Sequence, residues 1–149
     1  MRSEIKCQVS TTIEAGADKV WESLTDPRMI KKYFFGTQTT TDWRIGHPIK
    51  FKGSWKGKSY EDKGTILDYE GRKKIRYNYW SSMSGMEDRP ENYVIVTYEL
   101  EPVNAEKTKL TVTQENIPNE EMKQHSKENW KKVLDNLKNL LEKGVEAFA

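Results

Sequence analysis

The chain has 149 residues, with 25 Lys and Arg against 23 Asp and Glu. The resulting net charge of +2 gives no electrostatic reason to expect a nucleic-acid or acidic partner. A single domain over 1–149 is expected, large enough to bury roughly 70% of the surface its unfolded chain exposes, and the one cysteine, Cys7, excludes an internal disulfide and fits a reducing cytosol.

No apolar run approaches the ~20 residues needed to span a bilayer, so no membrane span is expected. Met1-Arg2-Ser3-Glu4 leads straight into an alternating strand, so no signal peptide is expected and the localisation is expected to be cytoplasmic. Residues 4–14 alternate. Ile5, Cys7, Val9, Thr11 and Ile13 point one way and polar residues the other, as in a strand with one wet face. Gly16 ends it. A helix over about 17–24 follows, with Val20, Trp21 and Leu24 on one face. Thr25-Asp26-Pro27 stops it and starts a second helix over about 27–34, with Asp26 as N-cap and Pro27 at the first helical position.

From about 37 to 115 the pattern is strand after strand. Thr37 to Trp43 is rich in β-branched residues, and Arg44 to Pro48 reads as a turn. Ile49, Phe51, Gly53 and Trp55 share a face, and Lys56-Gly57-Lys58 makes a hairpin turn. Tyr60 to Tyr69 contains Gly64, which predicts a bulge or a close backbone approach. Ile75, Tyr77 and Tyr79 lie on one face, residues 81–92 read as loop, and Val94 to Leu100 and Leu110 to Gln114 alternate again. Then the period changes. With Ser126 as N-cap, Trp130, Val133, Leu134, Leu137, Leu141, Val145 and Phe148 form a helical apolar stripe about 23 residues long. Each fully buried member of that stripe contributes on the order of 1.5–3 kcal/mol, so it must lie on the sheet. The fold class is therefore α+β: a curved antiparallel sheet of about six to seven strands around a long C-terminal helix, with two short helices after the first strand.

That order resembles the helix-grip, START-like (SRPBCC) superfamily, and more closely the family named for the activator of heat-shock protein 90 ATPase. The matching residues are Val20-Trp21-xx-Leu24-Thr25-Asp26-Pro27, Tyr33-Phe34, Trp43-xx-Gly46, Gly64-x-Ile66, Val96-Thr97-Tyr98-Glu99-Leu100-Glu101-Pro102, Thr108-x-Leu110-Thr111-Val112-Thr113-Gln114 and Asn129-Trp130. They span essentially the whole chain and encode packing and turns rather than chemistry. The resemblance implies a pocket for an apolar or amphipathic small molecule in the superfamily at large. It also implies a chaperone or other protein partner, in a stress-related role, for this family. The eukaryotic co-chaperone carries a further N-terminal domain, for which this chain is expected to have no room. Some superfamily members are cyclases.

Among chemical groups, His47 falls in a turn and His125 just before the last helix. One Cys and two scattered His give no metal-ligand spacing, so neither a metal site nor a cofactor is expected. Cys7, between Ile5 and Val9, reads as a small buried hydrophobe. Glu61-Asp62 and Glu87-Asp88 read as solvated charge, because adjacent strand residues face opposite ways. Arg72-Lys73-Lys74 with Arg76 reads as a solvated hairpin. Phe51, Trp55, Tyr77, Tyr79 and Tyr98 fall on inward faces, with Gln114 nearby and Trp130 on the helix. A simple core favours Leu, Ile and Val, and a buried Tyr needs a partner for its hydroxyl, so this set predicts a partly polar, roomy interior lined for a small ligand. A cyclase- or hydrolase-like enzyme in the same cavity needs a convergent acid–base pair, which the sequence does not present. No catalytic residue is assigned.

Overall fold

The first strand, β1 (Ile5–Ile13), buries Cys7 and Ile13 and leaves its even-numbered residues exposed, following the alternation of its sequence. In this computed structural model, residues 3–55, 57–82 and 84–144 are described. After Gly16, α1 (Ala17–Thr25) buries Val20, Ser23 and Leu24, while Trp21 is half-buried edge-on to Tyr69 at 5.3 Å between ring centroids. Asp26 closes α1 through its N–H to the Glu22 carbonyl and opens α2 (Pro27–Tyr33) by accepting from the Arg28 N–H at 2.9 Å. The last carbonyls of α1 have no helical partners. Two aromatic side chains supply donors: the Tyr33 hydroxyl to Ser23 O (2.9 Å) and Trp43 Nε1 to Thr25 O (2.9 Å). The corner is thus fixed by residues that lie outside it in sequence.

Six further strands complete an antiparallel sheet: β2 (Gln38–Thr40), β3 (Pro48–Trp55), β4 (Lys58–Glu70), β5 (Lys74–Ser81), β6 (Val94–Asn104) and β7 (Lys107–Ile117). The order across the sheet is β1-β7-β6-β5-β4-β3-β2. Only three residues of the β-branched run from Thr37 to Trp43 pair, against Phe51 and its neighbours; Trp43 takes a positive φ of 61°.

Curvature comes from β4. Gly64 pairs with Ile49 on one side and Tyr79 on the other, and a Cβ there would stand 1.6 Å from the Asn78 carbonyl oxygen. The close approach expected at Gly64 is present at Gly64 itself, and a register shift between Ile66 and Asp68 adds an irregularity just beyond it.

The long helix α3 (Glu120–Lys143) buries Trp130, Val133, Leu134 and Leu137 and packs mainly on β1, β7 and α2. Its start corrects the sequence reading. The N-cap is Asn119, whose Oδ1 accepts from the Met122 N–H at 2.8 Å, not Ser126. The first two turns are polar, so the apolar period that marks the helix in the sequence begins only in its middle. His125 accordingly lies within the helix rather than before it. Leu141 is half-buried, and Val145 and Phe148 lie outside the described residues. None of the described helices is long and apolar enough to cross a membrane.

Candidate ligand cavity

Because α3 covers the β1–β7 end of the sheet, the bent β3–β5 half stands away from it and leaves an open cavity of about 610 Å³. The sheet side presents Phe51 and Ser54 of β3, Tyr60 and Asp62 of β4, and Tyr77, Tyr79, Trp80 and Ser81 of β5. The helix side presents Met122, His125, Ser126, Asn129, Trp130 and Lys132, and Phe34, Phe35 and Thr37 close one end. Ser84, Met86 and Asn92, from the β5–β6 connection, stand at the other. That connection is anchored by Trp80 Nε1 donating to Met86 O (3.0 Å) and by Asn116 Nδ2 donating to the carbonyls of Glu91 and Tyr93 (2.9 Å each).

A continuous ring-to-ring chain forms the back of the cavity. Trp130 packs edge-on to Phe34 at 5.7 Å and to Tyr98 at 5.9 Å; Tyr98 lies 6.2 Å from Tyr77, and Tyr77 lies 5.6 Å from Phe51 and 6.2 Å from Tyr79. These are the offset and edge geometries that aromatic quadrupoles favour. Several of the polar side chains in the wall are paired with one another. Trp130 Nε1 donates to Gln114 Oε1 at 2.7 Å, and Gln114 Nε2 donates to Ser126 Oγ at 3.3 Å. Thr37 Oγ1 and the Tyr60 hydroxyl share a 2.6 Å hydrogen bond, and the Tyr60 ring covers Gly53 across the β3–β4 pair. The Tyr77 and Tyr98 hydroxyls are close enough to act on one another's ionisation. Burial pushes Tyr77 and Tyr98 well above the ordinary tyrosine range and Tyr79 up to about 12, the last helped by the Asp62 charge, so all three stay neutral at physiological pH.

Of the residues selected from the sequence, Phe51, Tyr77, Tyr79, Gln114 and Trp130 line the cavity. Tyr98 stands one layer behind, against Tyr77 and Trp130. The side chain of Trp55 lies outside the described residues. Asp62 is the residue the sequence reading placed wrongly. Glu61 is exposed as expected, but Asp62 shares the inward face with Gly64 and Ile66 and lines the cavity; burial raises its carboxyl above the ordinary aspartate value. Strand alternation alone carried that signal. His125 is exposed yet contributes to the rim. His47 pairs with Asp42 at 2.7 Å in its exposed turn. Three of the hairpin cations are paired: Arg72 with Asp18, Lys74 with Asp68 and Glu70, and Arg76 with Glu115. Cys7 is buried and its thiol is pushed up by burial. Among the described residues no group of three or more His, Cys, Asp or Glu is placed to hold a metal ion.

A curved seven-stranded antiparallel sheet holding a long C-terminal helix, with a two-helix corner after the first strand, defines a helix-grip protein. The chain belongs to the family described as "Activator of Hsp90 ATPase homolog 1-like protein", whose model matches residues 14–142. The solution structure of ChR145 from Cytophaga hutchinsonii is 42% identical, covers 97% of this chain and 98% of its own, and superposes with a TM-score of 0.82. Two more distant structures share the fold. The Aha1 dimer from Colwellia psychrerythraea has 20% identity, coverage of 94% and 98%, and a TM-score of 0.73. PFC0360w, an HSP90 activator from Plasmodium falciparum, has 19% identity, coverage of 92% and 96%, and a TM-score of 0.71. Comparison with curated proteins gives no match.

Proposed function

We propose that this chain is a single-domain, cytoplasmic, non-enzymatic binding protein that takes an apolar or amphipathic small molecule between its sheet and α3. The observation that carries the reading is the cavity of about 610 Å³, walled by the connected rings of Phe51, Tyr77, Tyr79 and Trp130 and edged by a few fixed polar groups. Sites of that size and lining suit small ligands: rings supply buried area, and sparse polar groups set orientation. Gln114 is held from both sides by Trp130 and Ser126, so its amide is pre-oriented without a ligand. A catalytic role has less support. Tyr77 and Tyr98 are neighbouring ionisable groups, and both are held as neutral hydroxyls rather than poised near neutral pH, where a general base works best. Native mass spectrometry of the protein purified without detergent tests the proposal. A retained small-molecule adduct, lost in a Tyr79→Ala/Trp130→Ala variant that remains folded, supports it; failure to retain or take up any of a panel of amphiphiles contradicts it.

A second reading, a chaperone-accessory role, is favoured by family membership and by the likeness to the Plasmodium falciparum HSP90 activator. Stimulation of the ATPase of the same cell's heat-shock protein 90 supports it, and absence of both binding and stimulation removes it.

A further inference from the structure

Asp62 is the only carboxylate among the described residues that line the cavity. It sits on β4 with Phe51 directly across on β3 and Ser81 directly across on β5, so a ring and a hydroxyl flank it along one row of the sheet. The Ser81 side chain and the Ser82 backbone lie close enough to favour its charged form, while Oδ1 is shut away from solvent with no hydrogen-bond partner. Among the described residues no cationic side chain stands with the groups that act on its charge. A half-buried carboxylate with an unused acceptor is unfavourable unless a donor arrives, and least unfavourable when that donor is itself charged. The rings beside it are suited to the same guest. Phe51 and Tyr79 lie 6.3 Å apart at 71° and Tyr77 is within 6.2 Å of Tyr79, forming a set of electron-rich faces next to a negative charge. Aromatic faces attract cations within about 6 Å of a ring centroid.

We propose that the cavity takes an amphiphile carrying a protonated amine, its nitrogen held by the carboxylate of Asp62 against the rings of Phe51 and Tyr79 and its apolar part laid along the aromatic wall towards Trp130. This rests on the ligand-binding reading above and specifies the ligand's class. The carboxylate rotates about its Cβ–Cγ bond within a broad torsional well, so the ammonium can meet either oxygen. Among the described lining residues the one fixed cation, Lys132, belongs to α3 on the facing wall; the cavity is therefore acidic on the sheet side and basic on the helix side. An organic ammonium is sorted to the sheet side, and a carboxylate-headed amphiphile is not.

The test uses three probes of equal chain length, decylammonium, decanol and decanoate, the ionic two below their critical micelle concentrations and decanol below its solubility limit, titrated at neutral pH with tryptophan fluorescence as readout. Wild-type protein is expected to bind decylammonium roughly tenfold or more tighter than decanol, with decanoate weakest, since a hydrogen bond between charged groups exceeds a neutral one by about that factor. Asp62→Asn should abolish the ammonium preference while retaining decanol binding. Glu61→Gln, on the exposed face of the same strand, should leave it intact, and circular dichroism confirms that both variants fold. Equal affinity for the three probes, or tightest binding of decanoate, overturns the amine assignment and leaves the ligand-binding reading standing. Preference retained in Asp62→Asn overturns it as well. Binding of none of the probes overturns both.

Discussion

The indole Nε1 of Trp130 donates to Oε1 of Gln114 across 2.7 Å, joining the middle of α3 to β7 at the back of the cavity. Both side chains are buried, so each polar atom depends on the other. Gln114→Leu leaves the indole N–H unpaired and is expected to lower stability by about 1–3 kcal/mol, and Trp130→Phe additionally removes ring contacts with Phe34 and Tyr98. The two changes share one interaction, so the double variant should be less destabilised than the sum of the singles by roughly 0.5–3 kcal/mol. Urea unfolding of the four proteins measures this coupling; strict additivity contradicts the role assigned to the pair.

Gly64→Ala is expected to be among the most damaging single substitutions in the chain. The added methyl would sit 1.6 Å from a backbone oxygen of β5, where no side-chain rotation relieves it, so the β4–β5 ladder must separate. A loss of about 3 kcal/mol or more, or failure to accumulate as soluble protein, follows, in the range reserved for disrupted packing. Gly71→Ala, with open space around the added carbon, is the control and should change stability little. Comparable thermal midpoints for the two variants would contradict the account of how the sheet bends.

Asp62 gives a pH dependence with a definite sign. Burial raises its folded-state carboxyl above the ordinary value of 3.8. The folded state therefore holds its proton more tightly than the unfolded chain, and that contribution to stability is full below 3.8 and lost as pH rises through the folded value. Asp62→Asn does not titrate. Its thermal midpoint should exceed that of the wild type at neutral pH, and the gap should close on acidification through this window. Parallel profiles for the two proteins at all pH values would show the carboxylate to be fully solvated instead.

Asn119→Ala removes the α3 cap and should cost about 1 kcal/mol and speed amide exchange in the first turn, whereas Ser126→Ala, inside the helix, unpairs the Gln114 amide but leaves that turn intact. Amide hydrogen exchange at Met122 and Lys123 distinguishes them, and faster exchange there in Ser126→Ala alone would contradict the observed helix start.

This last contrast shows where the sequence is legible. The strand alternation of β1, the Thr25-Asp26-Pro27 corner and the Trp130–Leu137 stripe are local patterns tied to one burial face, and they place the helix-grip order directly. The true start of α3 was written as Asn119-Glu120-Glu121, a capping residue before an acidic first turn, but its first two turns hold Met122 as their single apolar side chain and carry no apolar period. Asp62 obeyed the alternation of its strand, and its charge argued for the opposite face; the cavity, which the alternation says nothing about, is what reconciles the two. Whether an inward ring touches the cavity, as Tyr79 does, or lies behind it, as Tyr98 does, depends on how sharply the sheet bends. So does the arrival of Phe34 and Phe35 at the cavity's end from a helix terminus on the opposite side of the corner.

The central claim is that the space between β3–β5 and α3 accepts an amphiphile. The most direct measurement is a ¹H–¹⁵N NMR titration with decanol that follows the Trp130 indole N–H, the Gln114 side-chain amide and the backbone amides of Phe51 and Tyr79. The account predicts saturable shifts concentrated at these four reporters, with the Trp21 indole on the far corner unmoved. Shifts that never saturate, or that appear at Trp21 and leave Trp130 and Gln114 unchanged, would contradict it.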